Sequence, residues 1–477
     1  MLLLLLLYHI LGPHSVDALP VPSLDHYISS TCFDLRSCRT VWNIVWSCLA
    51  TIFLCAWVAV HRNMPDPTSR WYTVALVRAG ITVWALLAPE LILFWAIQQW
   101  LVAGEIADIN ERARKGRRAV EEQRVAEGGA GIAKNASTAK EAKNTWEGEE
   151  LLRKTDEGIV ERASKELVDD DEKWTRTHGF FVIMGGFYLF DGKKPMHPLS
   201  RYQVEDLVQR GLLVPPSERE IKDKSKGDSL SKGFVLVQVV WFVIQCIARR
   251  IQHLPITELE VVTLAYTTVN VAIYGFWWYK PLSVMCPVPV AGQPLDAPSE
   301  HEVKFTFNWG GWGQWQVAML YFLKIIDGSQ DNITILSNKK QVPTFYAGKP
   351  NAVQKTLASV VVIAVAMIFG SIHCIAWLSV FPSRTEQLLW RVSSIAILGY
   401  PGILVLGLLL ETFNLMYRIN RTVYMVTRIP LTALFILGIP VYVAARIILL
   451  VLAFVTLRSL PSAAYETVQW TSFIPHI

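Results

Sequence analysis

"LLAPELILFW" (Leu86–Trp95) sits inside "GITVWALLAPELILFWAIQQWLV" (Gly80–Val102), an otherwise apolar stretch long enough to cross a membrane. About 20 apolar residues span the roughly 30 Å of hydrocarbon in a bilayer. Within such a span a proline removes a backbone donor. A glutamate carries a carboxylate into hydrocarbon, at a cost of about 2.5–3.5 kcal/mol on insertion scales. Read as one span, the stretch predicts a helix kinked at Pro89, with Glu90 turned to a polar interior. Two readings of Glu90 stay open: a proton, cation or ligand contact, or a buried polar latch between helices.

Composition supports a membrane setting. Of 477 residues, 52% are hydrophobic and only 18% charged, with mean hydropathy +0.32. Soluble domains carry about 25% charged residues. The net charge of +5 is small for this length and offers no broad basic face, so no nucleic-acid partner is expected. The basic run "RARKGRR" (Arg112–Arg118) is a juxtamembrane stretch of the kind that sets topology or touches anionic headgroups.

Six more stretches have the length of a span: 40–60, 233–250, 259–281, 356–381, 392–413 and 429–457. With the 80–102 stretch they predict an all-α integral membrane protein, a polytopic bundle of about seven transmembrane helices with polar, partly disordered loops. Pro440 predicts a kink in the last of them. Residues 40–102 hold the first two helices, 233–281 the third and fourth, and 356–457 the fifth to seventh. Between them lie a polar region, 103–232, with a flexible Ala/Glu/Lys linker, and a Trp-rich connection, 282–355. The apolar piece 179–190 is too short to cross and reads as re-entrant or interfacial. Trp277, Trp278, Tyr279 and Lys280 read as interfacial anchors, and 458–477 as an interfacial tail. No internal repeat suggests an inverted-repeat transporter.

"MLLLLLLYHILGPHSVDA" (1–18) reads as a cleaved signal peptide, which leaves 19–39 as a lumenal segment. Cys32 and Cys38 then lie in an oxidising space and are a disulfide candidate. The other five cysteines read as buried small residues, and no spacing suggests a metal. Topology is in conflict. A lumenal N-terminus and two full crossings put 104–176 in the lumen, whereas the positive-inside rule puts Arg112–Arg118 in the cytosol. Sequons at Asn135, Asn332 and Asn420 are glycosylation candidates wherever their loops are lumenal.

The strings "RTVWNIVWSCLATIFLCAWVAVH", "THGFFVIMGGF", "ITELE", "WWYKP" and "LPSAAYETVQWTSFIPHI" together resemble a large family of uncharacterised multi-pass membrane proteins from filamentous fungi. The likeness covers nearly the whole chain apart from the linker. It implies a fungal source and a membrane location, and lends no activity.

Several polar residues stand out against the apolar background. Glu411 and Arg446, in adjacent spans, read as a mutually neutralising pair or as part of a substrate site. His373 is intramembrane, either a hydrogen-bonded packing residue or a ligand contact. "HRNMPD" places His61 and Asp66 at the H-x4-D spacing of membrane glycerolipid acyltransferases, where an Asp orients a His base. His178 precedes the 179–190 piece and is a weaker acid/base candidate. "DDDE" (169–172) reads as a solvated charge run rather than a magnesium–diphosphate site. Nothing matches a nucleotide-binding, kinase or metalloprotease motif, so no cofactor is indicated. The leading expectation is a transporter-like or sensor-like bundle in the endomembrane system or plasma membrane. Its expected partners are membrane lipids and a small lipophilic ligand. The alternative is a membrane-embedded enzyme acting on a lipid or terpenoid.

Overall fold

The computed structural model describes residues 38–136, 173–225, 229–291, 324, 330–417 and 420–470. Residues 1–18, expected to be a signal peptide, Cys32, residues 137–168 of the expected linker region and the 169–172 acidic run lie outside the described residues. Eleven helices are described: α1 (Val41–Ala59), α2 (Trp71–Leu87), α3 (Pro89–Ala136), α4 (Arg176–Ile183), α5 (Arg201–Gln209), α6 (Glu218–Asp223), α7 (Ser229–Ile251), α8 (Glu258–Phe276), α9 (Ala352–His373), α10 (Arg384–Tyr417) and α11 (Arg421–Val455). Seven stretches are long and apolar enough to cross a membrane: α1, the first part of α3, α7, α8, α9 with the turn after it, α10 and α11. α2, at 17 residues, is a shorter apolar helix. Helix α11 runs through Pro430 and Pro440 without ending.

The Gly80–Val102 stretch is not one kinked span. Helix α2 stops at Leu87, and α3 begins at Pro89. The residue before a proline is driven from the α region by the ring, and Ala88 sits at φ −146°, ψ 65°. Its N–H still closes on the Trp84 carbonyl at 2.7 Å, and its own carbonyl accepts from Leu91 N at 3.0 Å. Pro89 therefore occupies the first helical position, where its missing donor costs nothing. Glu90 falls in the first turn of α3, where the helix dipole favours negative charge.

The bundle has two ends. At one, Arg39 is a two-bond partner of Glu260 at the start of α8, at 2.5 and 3.2 Å. Glu260 also closes a capping box on Thr257. The backbone N–H of Arg39 donates to Tyr465 O, so the chain following α11 lies beside the chain preceding α1. Arg249, at the end of α7, donates to the carbonyls of Pro255, Ala464 and Glu466. Helices α9 and α10 approach closely at Gly370, where a Cβ would stand 2.9 Å from Leu398 Cα. Small residues allow this spacing in membrane bundles.

At the other end, α3 leaves the bundle and carries a folded cap. The 179–190 segment, expected to be re-entrant or interfacial, is the end of α4, a turn and strand β1 (Phe187–Asp191). β1 pairs antiparallel with β2 (Lys194–Pro198) and parallel with β3 (Val288–Ala291), in the order β2-β1-β3. Gly192, at φ +57°, makes the hairpin turn. Gly179 lies flat on α3: a Cβ there would be 2.0 Å from the Ala103 carbonyl oxygen. Arg176 covers the Trp100 ring at 3.7 Å. The Tyr188 hydroxyl donates to Lys340 O, and Glu105 of α3 is met by Arg201 and Gln354.

Candidate functional site

Two charges inside the bundle meet. Arg446 of α11 and Glu90 of α3 form an ion pair, with side chains 2% and 13% exposed. An unpaired charge in hydrocarbon is costly, so opposite charges there are drawn together. The expected partner of Arg446 was Glu411, in the adjacent helix. Arg446 is instead taken by Glu90, and the Glu411 side chain lies outside those described. The guanidinium also lies 4.1 Å over Phe369, 5.1 Å over Tyr442 and 5.7 Å over Tyr266. Such ring faces stabilise a cation by roughly 0.5–2 kcal/mol each.

The Tyr442 hydroxyl lies within hydrogen-bonding reach of both partners and the Tyr266 hydroxyl within reach of the guanidinium, while Glu90 Oε2 and Arg446 Nε and Nη1 make no well-aligned bond. Glu90 lines a cavity of about 460 Å³ between the α2–α3 turn and helices α9, α10 and α11. Its wall on α11 comes from Leu431, Phe435, Ile439 and Tyr442, and on α10 from Leu404, Gly407 and Leu408. These recur at three- and four-residue spacing, so each set lies on one helix face. Arg428 lines the far end. From Arg428 to Tyr442 the cavity runs about 21 Å along α11, at 1.5 Å per residue. The site is therefore an elongated apolar slot with a cation at one end and a carboxylate at the other.

A second polar cluster sits at the cap-side end. Lys280, expected to be an interfacial anchor, is 1% exposed. Its ammonium donates to His61 O, to Gln99 Oε1 at 2.8 Å and to Asn63 Oδ1 at 3.3 Å. It stands 4.7 and 4.6 Å from the Trp95 and Trp277 ring centres. Three oxygens match the three N–H bonds of an ammonium. Burial, with Arg62 nearby, pulls its pKa well below the usual lysine value. Trp277 is buried too, whereas Trp278 and Tyr279 are half exposed.

The remaining candidates fall elsewhere. His61 is buried, with Nδ1 at 2.8 Å from Ala59 O. Asp66 Oδ1 accepts from Thr68 N and Oγ1 within its own turn, so no His61–Asp66 hydrogen bond forms. His178 Nδ1 accepts from Thr175 N at 3.0 Å, which leaves Nε2 to donate to Pro216 O at 2.9 Å. Nδ1 serves the α4 cap and Nε2 ties it to the loop before α6, and burial lowers the pKa of this ring. His373 Nδ1 faces Phe369 O at 2.9 Å, and its carbonyl accepts from Trp390 Nε1. Cys38 is disulfide-bonded, while Cys48, Cys55, Cys246, Cys286 and Cys374 are free. Asn332 is exposed, and exposed Asn420 caps α11 through Thr422 N. Asn135 lies in the last turn of α3, with its side chain outside those described. No metal-ligand cluster occurs among the described residues.

Sequence comparison bears on the chain as a whole. Residues 18–297 and 325–477 match a family of unknown function, DUF8562. The chain belongs to that family. In this DUF8562 member the matched residues include Glu90, Arg446 and every cavity-lining residue named above. No curated protein and no solved structure matches the chain.

Proposed function

We propose that this DUF8562 member is a transporter-like or sensor-like membrane protein that holds a small lipophilic ligand in the slot between α9, α10 and α11. One observation carries the reading: an apolar slot of about 460 Å³ runs between α9, α10 and α11 and reaches Glu90, whose carboxylate is paired with the buried Arg446. Apolar clefts with a few polar groups along the wall are where small lipophilic ligands bind. The slot's length and apolar wall suit a chain-like lipid. Its setting would be a fungal endomembrane or the plasma membrane, with membrane lipids around it.

The catalytic alternative, an enzyme acting on a lipid or terpenoid, draws no support from His61 with Asp66 or from His178: His61 Nδ1 and Asp66 bond within their own turns, and both His178 nitrogens bond backbone.

The test is mass spectrometry of lipid retained by detergent-purified protein, comparing wild type with Gly407→Phe. Gly407 lines the slot, and a Cβ there meets nothing within 4 Å, so a ring would fill the space without opposing backbone. A defined lipid held by wild type and lost in Gly407→Phe supports the reading. The same bulk phospholipid in both refutes it.

A further inference from the structure

We infer that α2 and α3 form a re-entrant hairpin that reaches only the middle of the membrane, so the described residues cross six times and present their cap to the cytosol. Arg78 of α2 donates to the Trp57 carbonyl at 3.0 Å, near the cap-side end of α1. Helix α2 therefore enters from the cap side. Eight residues on, the Leu86 carbonyl accepts from the Tyr266 hydroxyl at 2.5 Å. Tyr266 lies near the midpoint of α8. The chain breaks at Ala88, and Glu90 then meets Arg446, about 14 Å short of the end of α11 at 1.5 Å per residue.

Helix α3 goes back the way α2 came. Nine residues after Glu90, about 14 Å along, Gln99 bonds Lys280 and Trp277 at the cap-side end of α8. A full crossing needs about 20 residues. The part of α3 after Gln99 holds Gly179 and Arg176 of the cap, so its remaining length lies on that same side. Pro89 and Glu90 mark the tip of a half-length hairpin, and irregular backbone at this depth is tolerated because protein surrounds it.

An even number of crossings puts both ends of the bundle chain on one face, and they touch there. Arg39 N donates to Tyr465 O at 2.7 Å, and Cys38 forms a β-bridge with Glu466. Three observations orient that face. Cys38, on the face of the termini, is disulfide-bonded, which requires an oxidising compartment. Cys286, on the cap face, is exposed and free. The run Arg112–Arg118 lies in the cap-side continuation of α3, where the positive-inside rule wants the cytosol. The conflict in the sequence disappears once the 80–102 stretch no longer counts as a crossing. The sequons at Asn135, Asn332 and Asn420 then all face the cytosol and stay unmodified. This orientation does not depend on the ligand reading.

The experiment uses full-length protein with a C-terminal epitope tag in sealed microsomes, whose cytosolic face is outward. A membrane-impermeant maleimide is expected to label Cys286, with Cys286→Ser as the control. Added protease is expected to leave the tag intact, and endoglycosidase to cause no mobility shift. A tag digested in sealed vesicles that also label Cys286 would mean an odd number of crossings. A Cys286 labelled only after detergent, or glycan on Asn332 or Asn420, would reverse the orientation. Any of these results overturns the inference.

Discussion

Glu90 and Lys280 show how far single residues announce themselves. Glu90 was visible in the sequence as a carboxylate where hydrocarbon was expected. Its partner was not, because Arg446 lies 356 residues away, whereas Glu411 offered a nearer opposite charge in the neighbouring helix. Lys280 was hidden altogether: "WWYKP" is also what an interfacial anchor looks like, and its acceptors come from the loop after α1 and from α3. Both residues carry predictions. Glu90→Gln leaves a buried guanidinium without its counter-charge and should destabilise the protein by roughly 3–5 kcal/mol. Replacing both partners, as Glu90→Gln with Arg446→Met, should recover most of that loss, read as the thermal midpoint in detergent. Equal loss in single and double variants would count against the ion pair. Lys280→Met removes the donor to the buried His61 carbonyl and should cost about 1–3 kcal/mol, with faster hydrogen exchange in residues 61–67 as its local sign.

At the scale of elements, span lengths were legible because about 20 apolar residues have few other uses in a chain. The break at Ala88 was not. An Ala-Pro pair reads the same whether it kinks one helix or ends one and starts another. The choice is made by tertiary partners, the Tyr266 hydroxyl on Leu86 O and Arg446 on Glu90. The folding of the cap was not legible either, since "GFFVIMGGFYLF" is apolar enough for a membrane surface, and its helix, turn and strand are buried against α3 and the sheet. Helix contacts set by glycine give another prediction. Gly370→Val would push Cβ to within 2.9 Å of Leu398 Cα and should cost about 1–3 kcal/mol as α9 and α10 separate; an unchanged melting curve would contradict the contact. The cap should also be sensitive to pH through His178. Burial lowers its pKa in the fold, against the pull of Pro216 O, Glu218 and Glu111. A histidine depressed in the folded state contributes stability above its unfolded value near 6.5, and that contribution is lost as pH falls through the folded value. Hydrogen-exchange protection of Arg176–Ile183 should therefore fall as pH drops below 6.5, after correction for intrinsic exchange rates. A flat profile would contradict the assignment of His178 as a buried neutral cap.

For the molecule as a whole, the sequence showed a helical membrane protein and left the slot invisible. Its wall is assembled from three helices and a turn, and no local pattern marks which apolar residues face a cavity rather than lipid. On α10, Leu404 and Leu408 line the slot, while Leu406 and Leu409 are 55% and 59% exposed on the outer surface. That contrast allows the central claim to be tested directly. A diazirine-bearing fatty acid would be photo-crosslinked to the protein in membranes and the labelled residues mapped by peptide mass spectrometry. Label concentrated on Leu404, Leu408, Phe435 and Ile439, and lost from them in Gly407→Phe, is the predicted result. Label spread equally over Leu406 and Leu409, and indifferent to Gly407→Phe, would show that the acyl chain meets this protein only as surrounding lipid.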